Sequence, residues 1–422
     1  MSGTVTLIGI GCGAREGVTL EGAEALRRAD AVLGASRLLE TLPDSVTENR
    51  VAEVRPGELA RILQENAWEC PCVVYGGDTG FYSGTRFLIP LLDGARIAYH
   101  VIPGISSVQI LSARLGRPWQ DWNLCSAHGS DCDAVEAVSH GKAAFFLTGV
   151  QTPSALCGQL AAAGLENLGV TIGENLGLPD EKIISVTARE AALTEFAPLS
   201  VLLAEAAPTP YPKRAPGLPD ADFIRGSVPM TKQEVRAAIL AKLAVRPGDT
   251  VWDVGAGTGS VSIELSRAAY RGRVYAIERN PDACDLIRRN REKFGAWNLT
   301  LTQGDAPEVL QPLPAPDAVF IGGSGGALES VVETVFKKNA SARLCVSAVT
   351  LETLCAAVGA LTARGLSAEV CQIAVSRTRP AGDYHLLTAQ NPVFLITADG
   401  AKRVAPDGGN VATPDGGQGE NL

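Results

Sequence analysis

Five prolines fall within the fourteen residues 206–219. A stretch this poor in backbone donors and this fixed in φ joins no sheet ladder and continues no helix. It therefore divides the chain, and each side has to be read as a folding unit with its own core. A length of 422 residues agrees, because a single core rarely grows past about 250–300 residues. Short apolar runs alternate with helical patterns on both sides, which is the α/β signature. On the first side residues 4–10, 31–34, 72–75, 98–102, 143–147 and 199–203 read as strands. On the second they are 250–254, 273–277, 299–303, 318–321, 343–349, 368–376 and 393–397, after an amphipathic helix at about 232–243. Seven strands make a complete doubly wound sheet, and the last two, with no helix between them, are expected as an antiparallel pair at its edge. The expected organisation is a domain at 1–205, a linker at 206–226, a domain at 227–400 and a disordered tail at 401–422, rich in Gly, Pro, Asp and Asn.

The second half carries the more specific motif. Val251-Trp-Asp253-Val-Gly255-Ala256-Gly257-Thr258-Gly259-Ser260 ends a strand and opens a helix. Glycines there let the backbone turn tightly and approach a ligand. Ser260 stands where a dinucleotide fingerprint needs its third glycine, and Asp253 would repel a pyrophosphate; a nicotinamide enzyme is disfavoured. A carboxylate at this loop suits the cationic amino-acid end of S-adenosylmethionine instead. Glu278 ends the next strand, where it can accept ribose hydroxyls, and Gly304-Asp305-Ala306 ends a third. This is the pattern of class I methyltransferases. With Pro229-Met230-Thr231-Lys232, Ile321-Gly322-Gly323-Ser324-Gly325-Gly326 and Asn391-Pro392-Val393-Phe394, residues 225–398 resemble the decarboxylating precorrin methyltransferase domain. The resemblance implies that Thr231, Gly255, Gly259, Glu278 and Ala306 contact S-adenosylmethionine, with Asp253, Ala256, Gly257 and Thr258 in the same loop.

Three glycine turns mark the first half: Ile8-Gly9-Ile10-Gly11-Cys12-Gly13, Gly76-Gly77-Asp78-Thr79-Gly80-Phe81-Tyr82, and Pro103-Gly104-Ile105-Ser106-Ser107. In this order they resemble the tetrapyrrole (class III) methylases, over residues 3–205. The family's two α/β lobes imply a second S-adenosylmethionine cleft, walled by Gly9, Gly11, Asp78, Phe81, Ser106 and Ser107, with Thr148 of Phe145-Phe-Leu147-Thr148-Gly149 from the other lobe. Asp78 reads equally as a plain turn aspartate. Ser106 and Ser107 open a helix and serve as N-caps whether or not they touch a ligand.

Both halves together resemble the bifunctional, decarboxylating precorrin-6Y methyltransferases of cobalamin biosynthesis. That resemblance implies methylation of a tetrapyrrole at carbons 5 and 15 and loss of carbon dioxide from the carbon-12 acetate, giving precorrin-8x. An RNA or protein methyltransferase in one half is the alternative, since both folds host other substrates. Methyl transfer needs alignment and water exclusion more than a strong base, so the lack of a nucleophile–histidine signature is expected. The substrate's carboxylates need local cations. Seven bases (Lys213, Arg214, Arg225, Lys232, Arg236, Lys242, Arg246) against three acids between 213 and 246 form either a basic rim or a solvated linker and helix face. Arg377, Arg379 and His385, on a loop between edge strands, are a second candidate, with His385 more often structural.

A net charge of −9 with no run of five Lys/Arg makes nucleic acid a poor partner. Ten cysteines and four histidines show no zinc-ligand spacing. No metal is expected, and the thiols read as free and buried in a reducing cytoplasm. No apolar run approaches the ~18 residues of a membrane span. A homo-oligomer is expected.

Overall fold

The computed structural model describes residues 3–12, 17–129, 131–139, 141–208 and 216–402. Gly13, residues 209–215 of the proline-rich segment with Lys213 and Arg214, and the tail beyond 402 lie outside the described residues. The chain forms two compact units, Met1–Ala207 and Pro208–Leu422.

The first unit has two sheets. Strands β1 (Val5–Gly9), β2 (Ala31–Gly34), β3 (Arg50–Ala52), β4 (Pro71–Tyr75) and β5 (Tyr99–Ile102) lie in the order β3-β2-β4-β1-β5, every pair parallel. Parallel strands are covered on both faces, which is why β2 and most of β1 and β4 are buried and read as unbroken apolar runs. Their C-terminal ends share one edge, so the three glycine turns, which follow β1, β4 and β5, are neighbours. The second sheet, β6 (Asn123–Ser126), β7 (Ala144–Leu147), β8 (Gly169–Glu174), β9 (Lys182–Thr187) and β10 (Ser200–Ala204), has the order β6-β7-β10-β8-β9 and is antiparallel except for β6–β7.

In the second unit β11 (Thr250–Val254), β12 (Arg273–Glu278), β13 (Leu299–Gln303), β14 (Ala318–Ile321) and β15 (Arg343–Ala348) are parallel; β16 (Glu369–Ile373) and β19 (Val393–Asp399) complete the order β13-β12-β11-β14-β15-β19-β16. The chain runs from β11 outward through β12 and β13, then returns to β14 on the other side. A crevice opens at such a reversal, outside the carboxyl ends of the strands. The expected antiparallel edge pair is β16 with β19, but what joins them is not a loop. Residues 376–389 form a hairpin of their own, β17 (Ser376–Ala381) with β18 (Tyr384–Ala389).

Four strands of the first unit depart from the sequence reading. β3, β6, β8 and β9 were not expected, and each has a physical reason. β3 has three residues, β6 is the polar Asn-Leu-Cys-Ser, β8 is bounded by Gly169 and Glu174, and β9 is a half-exposed edge strand. All ten cysteines are free, but only Cys72, Cys157, Cys284 and Cys345 are buried; Cys70 and Cys355 are exposed and the rest half-buried.

Candidate functional site

Each unit contains a cavity at the glycine-turn edge of its parallel sheet. That of the first unit, about 390 Å³, is bounded by both lobes. Its floor is made of turns that lock one another. Gly11 and Gly77 form an antiparallel bridge, with the Gly11 N–H donating to the Gly77 carbonyl at 3.2 Å and the Gly77 N–H to the Gly11 carbonyl at 2.5 Å. Asp78 clamps two turns: Oδ2 accepts from the Gly80 N–H at 2.8 Å and Oδ1 from the Gly104 N–H at 3.0 Å. A side chain at Gly104 would run into the carbonyls of Gly77 and Gly9, so only glycine permits this approach. The Ser106 N–H donates to Gln109 Oε1 at 2.8 Å, fixing the start of the helix Ser107–Leu115. From the second lobe, the buried Thr148 hydroxyl donates to the Ser200 carbonyl, and its own carbonyl meets His128 Nδ1 at 3.1 Å.

Gly11, Asp78, Phe81, Ser106, Ser107 and Thr148 line this cavity. Gly9 does not: it lies beneath, packed on Gly77 and Gly104. Cys12, Arg37, Glu53, His128 and Asn175 line the cavity and were missed. Arg37 and Glu53 follow β2 and β3, away from the glycine motifs, and only the sheet order β3-β2-β4-β1-β5 brings them to the same rim.

The second unit's cavity, about 690 Å³, lies at the reversal between β11 and β14. Gly255 turns with φ +73°, and a Cβ there would strike the Gly323 carbonyl, so the turns after β11 and β14 stack directly. Glu278 holds this arrangement from β12. Its Oε2 accepts from the Gly257 N–H at 2.8 Å, and Oε1 accepts from the N–H groups of Arg279 and Asn280, both at 2.9 Å. Thr231, Gly255, Ala256, Gly257, Thr258, Glu278 and Ala306 line the cavity. Thr258 Oγ1 is buried without a hydrogen-bond partner among the described residues.

Two expected contacts lie elsewhere. Asp253 is wholly buried behind the turn, registered between Ala276 and Phe320, and its Oδ2 accepts from the Ser262 hydroxyl of the helix Ser260–Ala268. Burial pushes its carboxyl up to about 7, helped by the charge of Glu278 and opposed by the Ser262 bond. Gly259 faces the helix Pro281–Phe294, where an added Cβ would sit 3.0 Å from Ile287 Cγ1.

Of the substrate-side candidates, Arg225, Arg377, Arg379 and His385 line neither of these two cavities. Arg225 Nε donates to the Asp220 carbonyl at 3.1 Å. Arg377 pairs with Glu234 at 2.6 Å and with Asp220 at 3.1 Å. Arg379 and His385 are exposed on the β17–β18 hairpin, not on a loop. It is the root of that hairpin, Val375 with Gln390 and Asn391, that walls the cavity.

The basic rim disperses in the same way. Arg236 is wholly buried, donating to Glu264 Oε1 and Asp220 Oδ1, both at 2.8 Å, and to the carbonyls of Thr231 and Leu218. It fixes the cavity-wall residue Thr231 from behind. Burial acts to raise the Asp220 carboxyl, but Arg236 and Arg377 outweigh it and hold the group below its ordinary range. Lys242 pairs with Glu369, and of the five bases among the described residues only Lys232 lines the cavity.

Among the described residues no helix is long and apolar enough to cross a membrane, and no three His, Cys, Asp or Glu form a group able to hold a metal. Two family models match: tetrapyrrole (corrin/porphyrin) methylases over residues 4–192 and the precorrin methyltransferase domain over residues 222–399. A probable cobalt-precorrin-6B C(15)-methyltransferase (decarboxylating) from Pyrobaculum calidifontis is 46% identical over 191 residues, 44% of this chain and 98% of that protein. The crystal structure of the C-terminal domain of precorrin-6Y C5,15-methyltransferase from Rhodobacter capsulatus is 33% identical, covering 44% of this chain and 97% of that one, with a TM-score of 0.40. A precorrin-6Y C(5,15)-methyltransferase [decarboxylating] from Sinorhizobium sp is 32% identical over 402 residues, 93% of this chain and 95% of that protein. With nearly the whole of both chains aligned, the chain belongs to the precorrin-6Y C5,15-methyltransferase (decarboxylating) family.

Proposed function

We propose that the protein methylates precorrin-6Y at carbons 5 and 15 and removes carbon dioxide from the carbon-12 acetate, giving precorrin-8x in cobalamin biosynthesis. The first unit acts at carbon 5. The second acts at carbon 15 and decarboxylates, an assignment supported by the Pyrobaculum C(15)-methyltransferase, which aligns with this chain over 98% of its own length. The observation that carries the two-site reading is that each unit has its own cavity, floored by its own glycine turns.

The residues present fit S-adenosylmethionine in both cavities. The glycine turns are packed against backbone on one side, Gly323 on the cavity wall has open space where a Cβ would stand, and Thr258 keeps a buried hydroxyl without a partner among the described residues. When bound, the group supplies an electrophilic methyl on a sulfonium. Gly11, Asp78, Phe81, Ser106, Ser107 and Thr148 would hold it in the first unit, and Thr231, Gly255, Ala256, Gly257, Thr258, Glu278 and Ala306 in the second. Asp78 and Glu278 act chiefly as clamps that preorganise the turns, since both carboxylates already accept backbone N–H groups. Lys232, on the wall of the second cavity, would meet a substrate carboxylate. We assign the protein to the cytoplasm, where its ten free thiols suit a reducing medium. The hairpin's exposed Tyr384 and Leu387 suit a homo-oligomer.

Incubating the full chain with precorrin-6Y and methyl-labelled S-adenosylmethionine tests the reaction. Two labelled methyl groups and the loss of one carbon dioxide are expected by mass spectrometry. A product with one methyl, or with two and its carboxylate retained, would sink it. Calorimetry should give two S-adenosylhomocysteine sites per chain.

A further inference from the structure

The cavity of the first unit is wider than its glycine turns. Those turns follow β4, β1 and β5, which lie side by side; the rim continues past β4 to the ends of β2 and β3, where Arg37, Leu38, Val54 and Leu59 complete the wall. Val54 is 64% exposed there, although it lines the cavity. This end is therefore an open apolar ledge formed by Val54 over the buried Leu38 and Leu59, with one cation on it.

Arg37 is the only arginine or lysine among the described residues that line the cavity. It lies at the start of the short helix Ser36–Thr41 and reaches over the turn after β4, where a Cβ on Gly76 would sit 3.4 Å from its Nη2. It makes no hydrogen bond or ion pair among the described residues, although two carboxylates share its wall. Both are occupied. Glu53 accepts from the N–H groups of Val54 and Arg55, each at 2.8 Å, and pairs with the Arg55 guanidinium at 2.6 Å, which holds it well below the usual carboxylate range. Asp78 is bonded to Gly80 and Gly104. The guanidinium is thus uncompensated beside an apolar ledge, on the side of the cavity away from β1 and β5.

We propose that Arg37 binds a carboxylate at the edge of the tetrapyrrole while the ring lies against the exposed Val54, and so selects and orients the substrate of the first unit. The inference rests on the functional reading above. A flat macrocycle with carboxylates on its periphery offers both an apolar face and anions at its edge. A guanidinium grips a carboxylate by two parallel hydrogen bonds, which fixes orientation as well as position. The other carboxylate source is the amino-acid end of the cofactor, and it is separable by experiment.

The test uses full-length protein, precorrin-6Y and methyl-13C-labelled S-adenosylmethionine, with NMR separating the two new methyl groups. For Arg37→Gln the KM for precorrin-6Y in carbon-5 methylation should rise roughly tenfold to a hundredfold, the loss expected for one charged hydrogen-bonded contact. Arg37→Lys, which keeps the charge without the fork, should lie between. Carbon-15 methylation by the same chain should be unchanged, as should S-adenosylhomocysteine affinity at the first site. An unaltered KM in Arg37→Gln overturns the proposal and leaves the functional reading standing. A fall in S-adenosylhomocysteine affinity also overturns it, by placing the guanidinium on the cofactor. A wild-type chain that adds no methyl at carbon 5 overturns both.

Discussion

Replacing Arg236 by methionine should unfold the second unit at a much lower temperature and leave the first unit alone. The guanidinium is wholly buried, bonded to Glu264 and Asp220 at 2.8 Å, with its carbon 4.6 Å from the Phe223 ring centroid. Each contact is worth about 6 kcal/mol of gross attraction at an effective dielectric of 20. Desolvation of the arginine, recovered on its removal, offsets much of that. Asp220 keeps Arg377 at 3.1 Å, but Glu264, with 1% of its side chain exposed, keeps among the described residues only the N–H groups of Gly217 at 2.5 Å and Leu218 at 3.2 Å. Stranding one partner of a buried pair costs about 3–5 kcal/mol. For a unit of this size that is a fall of roughly 6–20 °C in Tm. Scanning calorimetry of the full chain should show the second unit's transition displaced and the first unit's fixed. Adding Glu264→Gln to Arg236→Met removes the stranded charge and should recover part of the loss. A shift under about 2 °C, or a double variant no more stable than the single one, would refute the reasoning.

Asp253 sets a pH dependence. Its carboxyl is held near 7 in the fold against 3.8 ordinarily, so folding takes up a proton between those values. This contribution is fully present below pH 3.8 and lost as pH rises to about 7. Asp253→Asn cannot ionise and should flatten that slope, exceeding the wild type above pH 7 by roughly 4 kcal/mol in urea unfolding; equal stability of the two proteins at pH 8 would show that the carboxyl is not perturbed. Asp78→Ala should weaken S-adenosylhomocysteine binding at the first site and stop carbon-5 methylation only, while Glu278→Ala should stop carbon-15 methylation and decarboxylation only. Calorimetry that finds both sites emptied by either change would mean that the units do not act independently.

The parts legible in the sequence are those where a local pattern settles the structure. The apolar runs of β1, β2, β4, β11, β14 and β15 are strands because both faces are covered. The glycine turns follow them because only glycine permits the stacking at Gly104 and Gly255. What stayed hidden depends on the third dimension. Nothing around residue 37 distinguishes Arg37 from any surface arginine until β2 is placed beside β4. Charge counting failed for the opposite reason: the bases between 213 and 246 were adjacent in sequence, yet helix geometry sends Arg236 inward to Glu264, Lys242 outward to Glu369 and Lys232 alone into the cavity. Asp253 misled in the same way, since the alternation of β11 turns it towards Ser262.

These placements bear on how a protein of net charge −9 admits a polycarboxylate. Its long-range field opposes the approach, so capture depends on short-range cations that are not already spent. Many arginines among the described residues are spent: Arg55 on Glu53, Arg117 on Glu205, Arg236 on Asp220 and Glu264, Arg377 on Glu234. On the second cavity's wall Arg279 pairs with Asp305 at 3.1 Å, whereas the Lys232 ammonium has no partner among the described residues. The first wall has Arg37. The carboxylates on both walls are meanwhile quenched by backbone N–H groups, at Asp78 and at Glu278. Each cavity thus presents one unspent cation to an anionic ligand although the surface as a whole is acidic. The two units reach that arrangement on different folds, which points to the demands of the shared substrate more than to common structure.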